Sequence, residues 1–84
     1  MSIENLVMQL IQRHGRGSEG RVVSMAMPLD ELGVDVLRLA QVVSIIEGRF
    51  GVEFDASEAL TWMTGQDIVS GVAHVLQTRH SLGS

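Results

Sequence analysis

Asp35-Val36-Leu37-Arg38-Leu39-Ala40-Gln41-Val42-Val43-Ser44-Ile45-Ile46-Glu47-Gly48-Arg49-Phe50-Gly51 is the stretch that decides the fold. At about 100° per residue, Leu39, Val42, Val43, Ile46 and Phe50 share one narrow sector of a helix. Leu37, Gln41, Ser44 and Gly48 fall on the opposite side, with Ala40 and Ile45 at the flanks. Asp35 is a suitable N-cap, because its carboxylate can accept an orphan N–H of the first turn. Gly51 is a suitable stop. From Val36 to Arg49 such a helix runs roughly 21 Å, with its apolar stripe turned to a core.

Downstream, Asp55 or Ser57 opens a short helical segment from Ala56 to Met63. Thr64 and Asp67 have the spacing of a capping box, with Asp in place of the usual Glu. Ile68, Val69, Val72, Val75 and Leu76 then form the stripe of a last helix, and residues 80–84 read as a frayed, flexible tail. Upstream, Ser2 caps a first helix whose stripe is Ile3, Leu6, Val7, Leu10 and Ile11. It should end near His14-Gly15, since glycine suits a left-handed C-terminal position. Gly15-Arg16-Gly17-Ser18-Glu19-Gly20 has loop composition and fits neither phosphate-binding glycine pattern. Val22 to Met27, stopped by the single proline Pro28, reads as an extended loop whose apolar side chains line the core, with methionine as gap-filler. The expectation is an all-α protein, a small four-helix bundle with a long loop between helices 1 and 2.

Composition narrows the function classes. The 84 residues form one domain, 1–84, able to bury a modest core. With no cysteine, disulfides, thiolate metal sites and a cysteine nucleophile are excluded. Six arginines against ten acids leave a net charge of −4, a poor match for nucleic acid. Arg13, Arg16 and Arg21 cluster near the glycine-rich stretch and read as a solvated loop. No apolar run is long enough to span a membrane, and Met1-Ser2-Ile3-Glu4 has no leader pattern, so a cytoplasmic monomer is expected. His14, His74 and His80 lack ligand spacing, Asp30 and Glu31 read as complements to a helix N-terminus, and no Ser/His/Asp order points to hydrolysis. The chain is expected to be no enzyme and to bind no metal. Trp62 reads as partly buried packing.

Pro28-Leu29-Asp30-Glu31-Leu32-Gly33-Val34-Asp35-Val36-Leu37 resembles the attachment region of acyl carrier proteins, where an acid-Leu-Gly segment precedes Asp-Ser-Leu at the start of the second helix. Ile46 to Phe54 resembles the end of that helix and its following loop, and Thr64 onward the last helix. The resemblance covers roughly residues 3 to 77 and implies a domain that presents acyl intermediates to biosynthetic or acyl-transferring enzymes of lipid, polyketide or related metabolism. In the family the serine carries 4′-phosphopantetheine, whose phosphate meets the positive end of a helix.

Position 36 departs from that pattern. Asp35 and Leu37 match the cofactor-binding motif, but Val36 has no oxygen for a phosphodiester, so no cofactor is expected on this sequence. Ser44 lies two turns further on, and Ser24, Ser57 and Ser70 lack the surrounding motif. Three origins fit the valine: an engineered block, a natural carrier-like protein that binds partners without cargo, or a degenerate paralogue. The alternative function is an arm-less interaction module of the same shape. The resemblance places partner docking on the second helix, at Leu37, Arg38, Ala40, Gln41, Ser44 and Glu47. That helix is strongly acidic in the family. Here Arg38 and Arg49 interrupt it, which implies a dedicated partner rather than general fatty-acid enzymes.

Overall fold

The computed structural model describes residues 2–15 and 24–83, with side chains through Thr78. Among the described residues, four helices follow in order: α1 Ile3–His14, α2 Val36–Phe50, α3 Ala56–Ala59 and α4 Gly65–Gly83. The architecture is the expected all-α bundle. Arg16, Arg21 and the glycine-rich stretch after Gly15 lie outside the described residues, as do Val22 and Val23.

Each helix begins where a side chain can take up an orphan N–H. Ser2 Oγ accepts from the Asn5 N–H at 3.4 Å. Asp35 Oδ1 accepts from the Arg38 N–H at 2.8 Å. Ahead of α4 the box is reciprocal: Asp67 N–H donates to Thr64 Oγ1 at 3.2 Å, while Asp67 Oδ2 accepts from the Thr64 and Met63 N–H groups at 3.1 and 2.9 Å. The shorter Asp therefore completes the box and reaches one residue further back.

α1 packs against both α4 and α2. Leu6, Val7, Leu10 and Ile11 of α1 meet Leu39, Val42, Val43 and Ile46 of α2 and Ile68, Val69 and Val72 of α4 in one buried cluster. Ile3, Phe50 and Leu76 are half-buried at its margin.

Three expectations are corrected. Gly15 ends α1 in an extended conformation (φ −81°, ψ 128°), its N–H donating to the Ile11 carbonyl at 2.8 Å, so no left-handed residue is needed there. Among the described residues, the left-handed glycines are Gly51, at the end of α2, and Gly33 (φ 77°). The third segment is helical only over Ala56–Ala59. Thr61 Oγ1 donates to the Glu58 carbonyl at 2.6 Å, and the chain then turns Trp62 inward. Finally, α4 continues through Gly83 where a frayed tail from His80 was expected. No proline or internal glycine breaks the run after Gly71.

The loop that delivers α2 is fastened to the α3–α4 junction. Leu29 N–H donates to the Met63 carbonyl at 2.8 Å, and Gln66 N–H to the Met25 carbonyl at 2.9 Å. Pro28 and Thr64 form an isolated antiparallel bridge. Leu29, Leu32 and Val34 are buried, and Met25 and Met27 pack partly against the core, as the apolar reading of this loop anticipated. A tight turn at Gly33, with Val34 N–H on the Leu29 carbonyl at 2.9 Å, then aims Asp35 into the helix start.

Candidate functional site

Val36 is the first residue of α2, directly after its cap. The cap satisfies the Arg38 N–H, but a first helical turn has four N–H groups without intrahelical partners, so this corner presents partial positive charge to solvent. Val36 is 65% exposed and its neighbour Leu37 76%, so the valine adds apolar surface rather than core packing. Val36 shares a rim with Leu60 and Met63 from the α3–α4 connection, 63% and 70% exposed.

Two hollows flank Val36. One, of about 260 Å³, lies between α2 and α3 and is lined by Val36, Leu39, Ala40, Val43, Phe54 and Leu60, with Glu47 at its edge. The other, of about 380 Å³, runs toward Val34, Trp62 and Met63, with Asp30 and Asp35 at its mouth. Val36, Leu39 and Leu60 border both, so position 36 stands where two apolar recesses meet at a helix N-terminus.

Their floor depends on the way Trp62 sits. Its ring meets Phe54 edge-on, with centroids 5.3 Å apart and planes at 80°. On its other side it lies against Gly71 of α4, where an added Cβ would fall 2.9 Å from Cε2 and closer still to Cζ2. The indole is 8% exposed, more deeply buried than the sequence reading of partial burial.

The residues assigned to partner docking do not form one face. Leu37, Gln41 and Ser44 are exposed on the outer side of α2. Ala40 is exposed but lines the α2–α3 hollow. Glu47 is half-buried, and its Oε2 accepts the Phe54 N–H at 2.8 Å, which commits the carboxylate to the following loop. Arg38 is half-buried, its Nε enclosed without a hydrogen-bond partner.

Leu60 and Met63 were not among the sequence candidates. Their three-residue spacing, read out of phase with Ala59 and Trp62, was the available signal; it was obscured because a continuous helix from Ala56 to Met63 was assumed.

Among the described residues, no serine stands on the first turn of α2. Ser57 Oγ donates to Asp55 Oδ1 at 3.0 Å. Ser44 and Ser70 are exposed on helix surfaces away from the start of α2, and Ser24 lies in the preceding loop. Among the described residues, no group of three His, Asp or Glu side chains could hold a metal ion, and no helix is long and apolar enough to cross a membrane.

A family model for the phosphopantetheine attachment site matches residues 18–72. No curated protein matches the chain.

Proposed function

The chain belongs to the phosphopantetheine-attachment family, and from that premise we propose that it is a carrier-type domain whose attachment position is Val36 and is therefore blocked. Carrier domains of this family are typically non-catalytic: the arm holds the cargo, and the protein supplies a handle and a recognition surface. The observation that carries the reading is the placement of Val36, exposed on the first turn of α2 behind the Asp35 cap, between two apolar hollows.

The side chain at this position does not fit a covalent phosphopantetheine arm. Two methyl groups offer no oxygen for a phosphodiester. What the remaining residues can do is present a surface. Asp35 fixes the helix start, Leu37 stands outward beside position 36, and Gln41 and Ser44 extend the outer side of α2. In this reading a biosynthetic or acyl-transferring enzyme of lipid, polyketide or related metabolism docks there in the cytoplasm, and the domain contributes no catalytic group.

A second reading rests on a different observation. Val36, Leu60 and Met63 border one hollow and are each more than half exposed, with Leu37 exposed next to Val36 along α2, which favours an arm-less interaction module that keeps the bundle for binding alone.

Intact mass spectrometry tests the proposal. The protein and Val36→Ser are each incubated with a broad-specificity phosphopantetheinyl transferase and coenzyme A. Gain of one arm by the serine variant alone supports a blocked carrier. A serine variant that stays unmodified leaves the interaction module as the reading; modification of the unaltered chain overturns the assignment of position 36.

A further inference from the structure

One flank of α2 carries charge of one sign. Arg38, Gln41, Ile45 and Arg49 follow one another there at spacings of three and four, with Leu37 and Ser44 on the outer side beside them, and all are exposed except half-buried Arg38. Two guanidinium groups stand there and no carboxylate, in a chain whose net charge is −4. The two acids nearest that flank keep their charge, but their carboxylates turn to backbone N–H groups rather than to the arginines. Asp35 accepts the Arg38 N–H at the helix start. Glu47 turns to the Phe54 N–H. Asp30 and Glu31 precede the helix, and Glu53, Asp55 and Glu58 follow it. Neither Arg38 nor Arg49 forms an ion pair among the described residues, and Arg38 Nε is enclosed without any hydrogen-bond partner. Gly48 keeps the face flat, since a Cβ built there meets nothing within 4 Å. Apolar contact is available at both ends, from Leu37 and from Ile45, 37% exposed; eight residues of helix set them about 12 Å apart.

We propose that this face of α2 docks an acidic amphipathic helix of a partner protein. The inference rests on the carrier-type reading and assigns its partner a charge opposite to the one an acidic docking helix would select. Carboxylates on the partner pair with Arg38 and Arg49 at the rim, and an apolar stripe spans Leu37 and Ile45. Charge of this kind governs encounter and partner choice more than total affinity, so a lysine-rich surface is rejected by like-charge contact.

The test uses the full chain, labelled with ¹⁵N, and two synthetic amphipathic peptides that share one Leu/Ile stripe, flanked by glutamate in the first and lysine in the second. The expected result is chemical-shift change along residues 37–49 with the glutamate peptide, an affinity roughly tenfold above that of the lysine peptide, as two modest exposed pairs together imply, and weakening as salt is raised. Arg38→Glu with Arg49→Glu should invert the preference while the helical circular dichroism stays unchanged. Equal or stronger binding of the lysine peptide, shifts confined to residues 53–63, no shifts with either peptide, or concentration-dependent shifts in the protein alone, which would identify a second copy as the occupant, each overturn the proposal. The carrier reading is judged separately by the mass gain of Val36→Ser. A serine variant that is modified while the glutamate peptide fails to bind removes the acidic partner and leaves the carrier reading standing.

Discussion

Two glycines, Gly48 in α2 and Gly71 in α4, should respond to the same substitution with opposite sign. In a helix interior, alanine is favoured over glycine by about 0.8–1.0 kcal/mol. At Gly48 a Cβ meets nothing within 4 Å, so Gly48→Ala should gain close to that amount. At Gly71 the same Cβ would run into the Trp62 indole, 2.9 Å from Cε2 and 3.2 Å from Nε1, with Cζ2 nearer still. The indole is rigid, buried and packed edge-on with Phe54 at 5.3 Å. Overpacking of this kind costs about 1–3 kcal/mol, and a rigid ring met at 2.9 Å belongs at the upper end. Subtracting the helix-propensity gain leaves Gly71→Ala destabilised by about 1–2 kcal/mol. For a domain of this size 1 kcal/mol moves Tm by about 4–8 °C. Thermal unfolding followed by circular dichroism at 222 nm should therefore place Gly48→Ala several degrees above the parent and Gly71→Ala about 5–15 °C below it. Trp62 fluorescence should shift in the second variant only. If Gly71→Ala is as stable as Gly48→Ala, the packing of Trp62 on α4 is wrong, and with it the floor of the hollows beside Val36.

Ile46 is fully buried, and Ile46→Asp would strand a carboxylate in the core at a cost comparable with the whole stability of so small a domain; the helical signal should be lost at 25 °C. Leu37→Asp should keep that signal, because the side chain is 76% exposed, and an unfolded Leu37→Asp would refute the assignment of the outer face. Asp67→Ala removes the acceptor for two backbone N–H groups ahead of α4 and should cost about 1 kcal/mol in urea unfolding, in line with lost caps elsewhere. Glu47→Ala deprives the Phe54 N–H of its acceptor and should lower stability by about 1 kcal/mol, whereas a neutral result would release Glu47 for the docking role that its position in the sequence suggested.

The helices themselves were legible along the chain because their causes are local. Asp35 and Gly51 bracket α2, Thr64 and Asp67 start α4, and the three- and four-residue spacing of Leu39, Val42, Val43 and Ile46 names the core face before any contact is known. Position 36 was singled out by resemblance alone, since Asp35 and Leu37 frame it as the family motif frames its serine, and its role rests on the proposal made above. Three things required the tertiary structure. α3 stops at Ala59 because Thr61 bonds the Glu58 carbonyl and Trp62 turns in to meet Phe54 and Gly71, partners on other elements; that turn is what brings Leu60 and Met63 out beside Val36. Glu47 turned to the loop after α2 because an N–H seven residues away captured it. That the Asp35 and Glu47 carboxylates turn to backbone N–H groups rather than to Arg38 and Arg49 emerged only from the folded chain. Capping and amphipathic periodicity act within one or two helical turns and are written in neighbouring residues. The direction of a side chain at a helix flank is settled by whatever packs or hydrogen-bonds against it, and that depends on how distant segments meet.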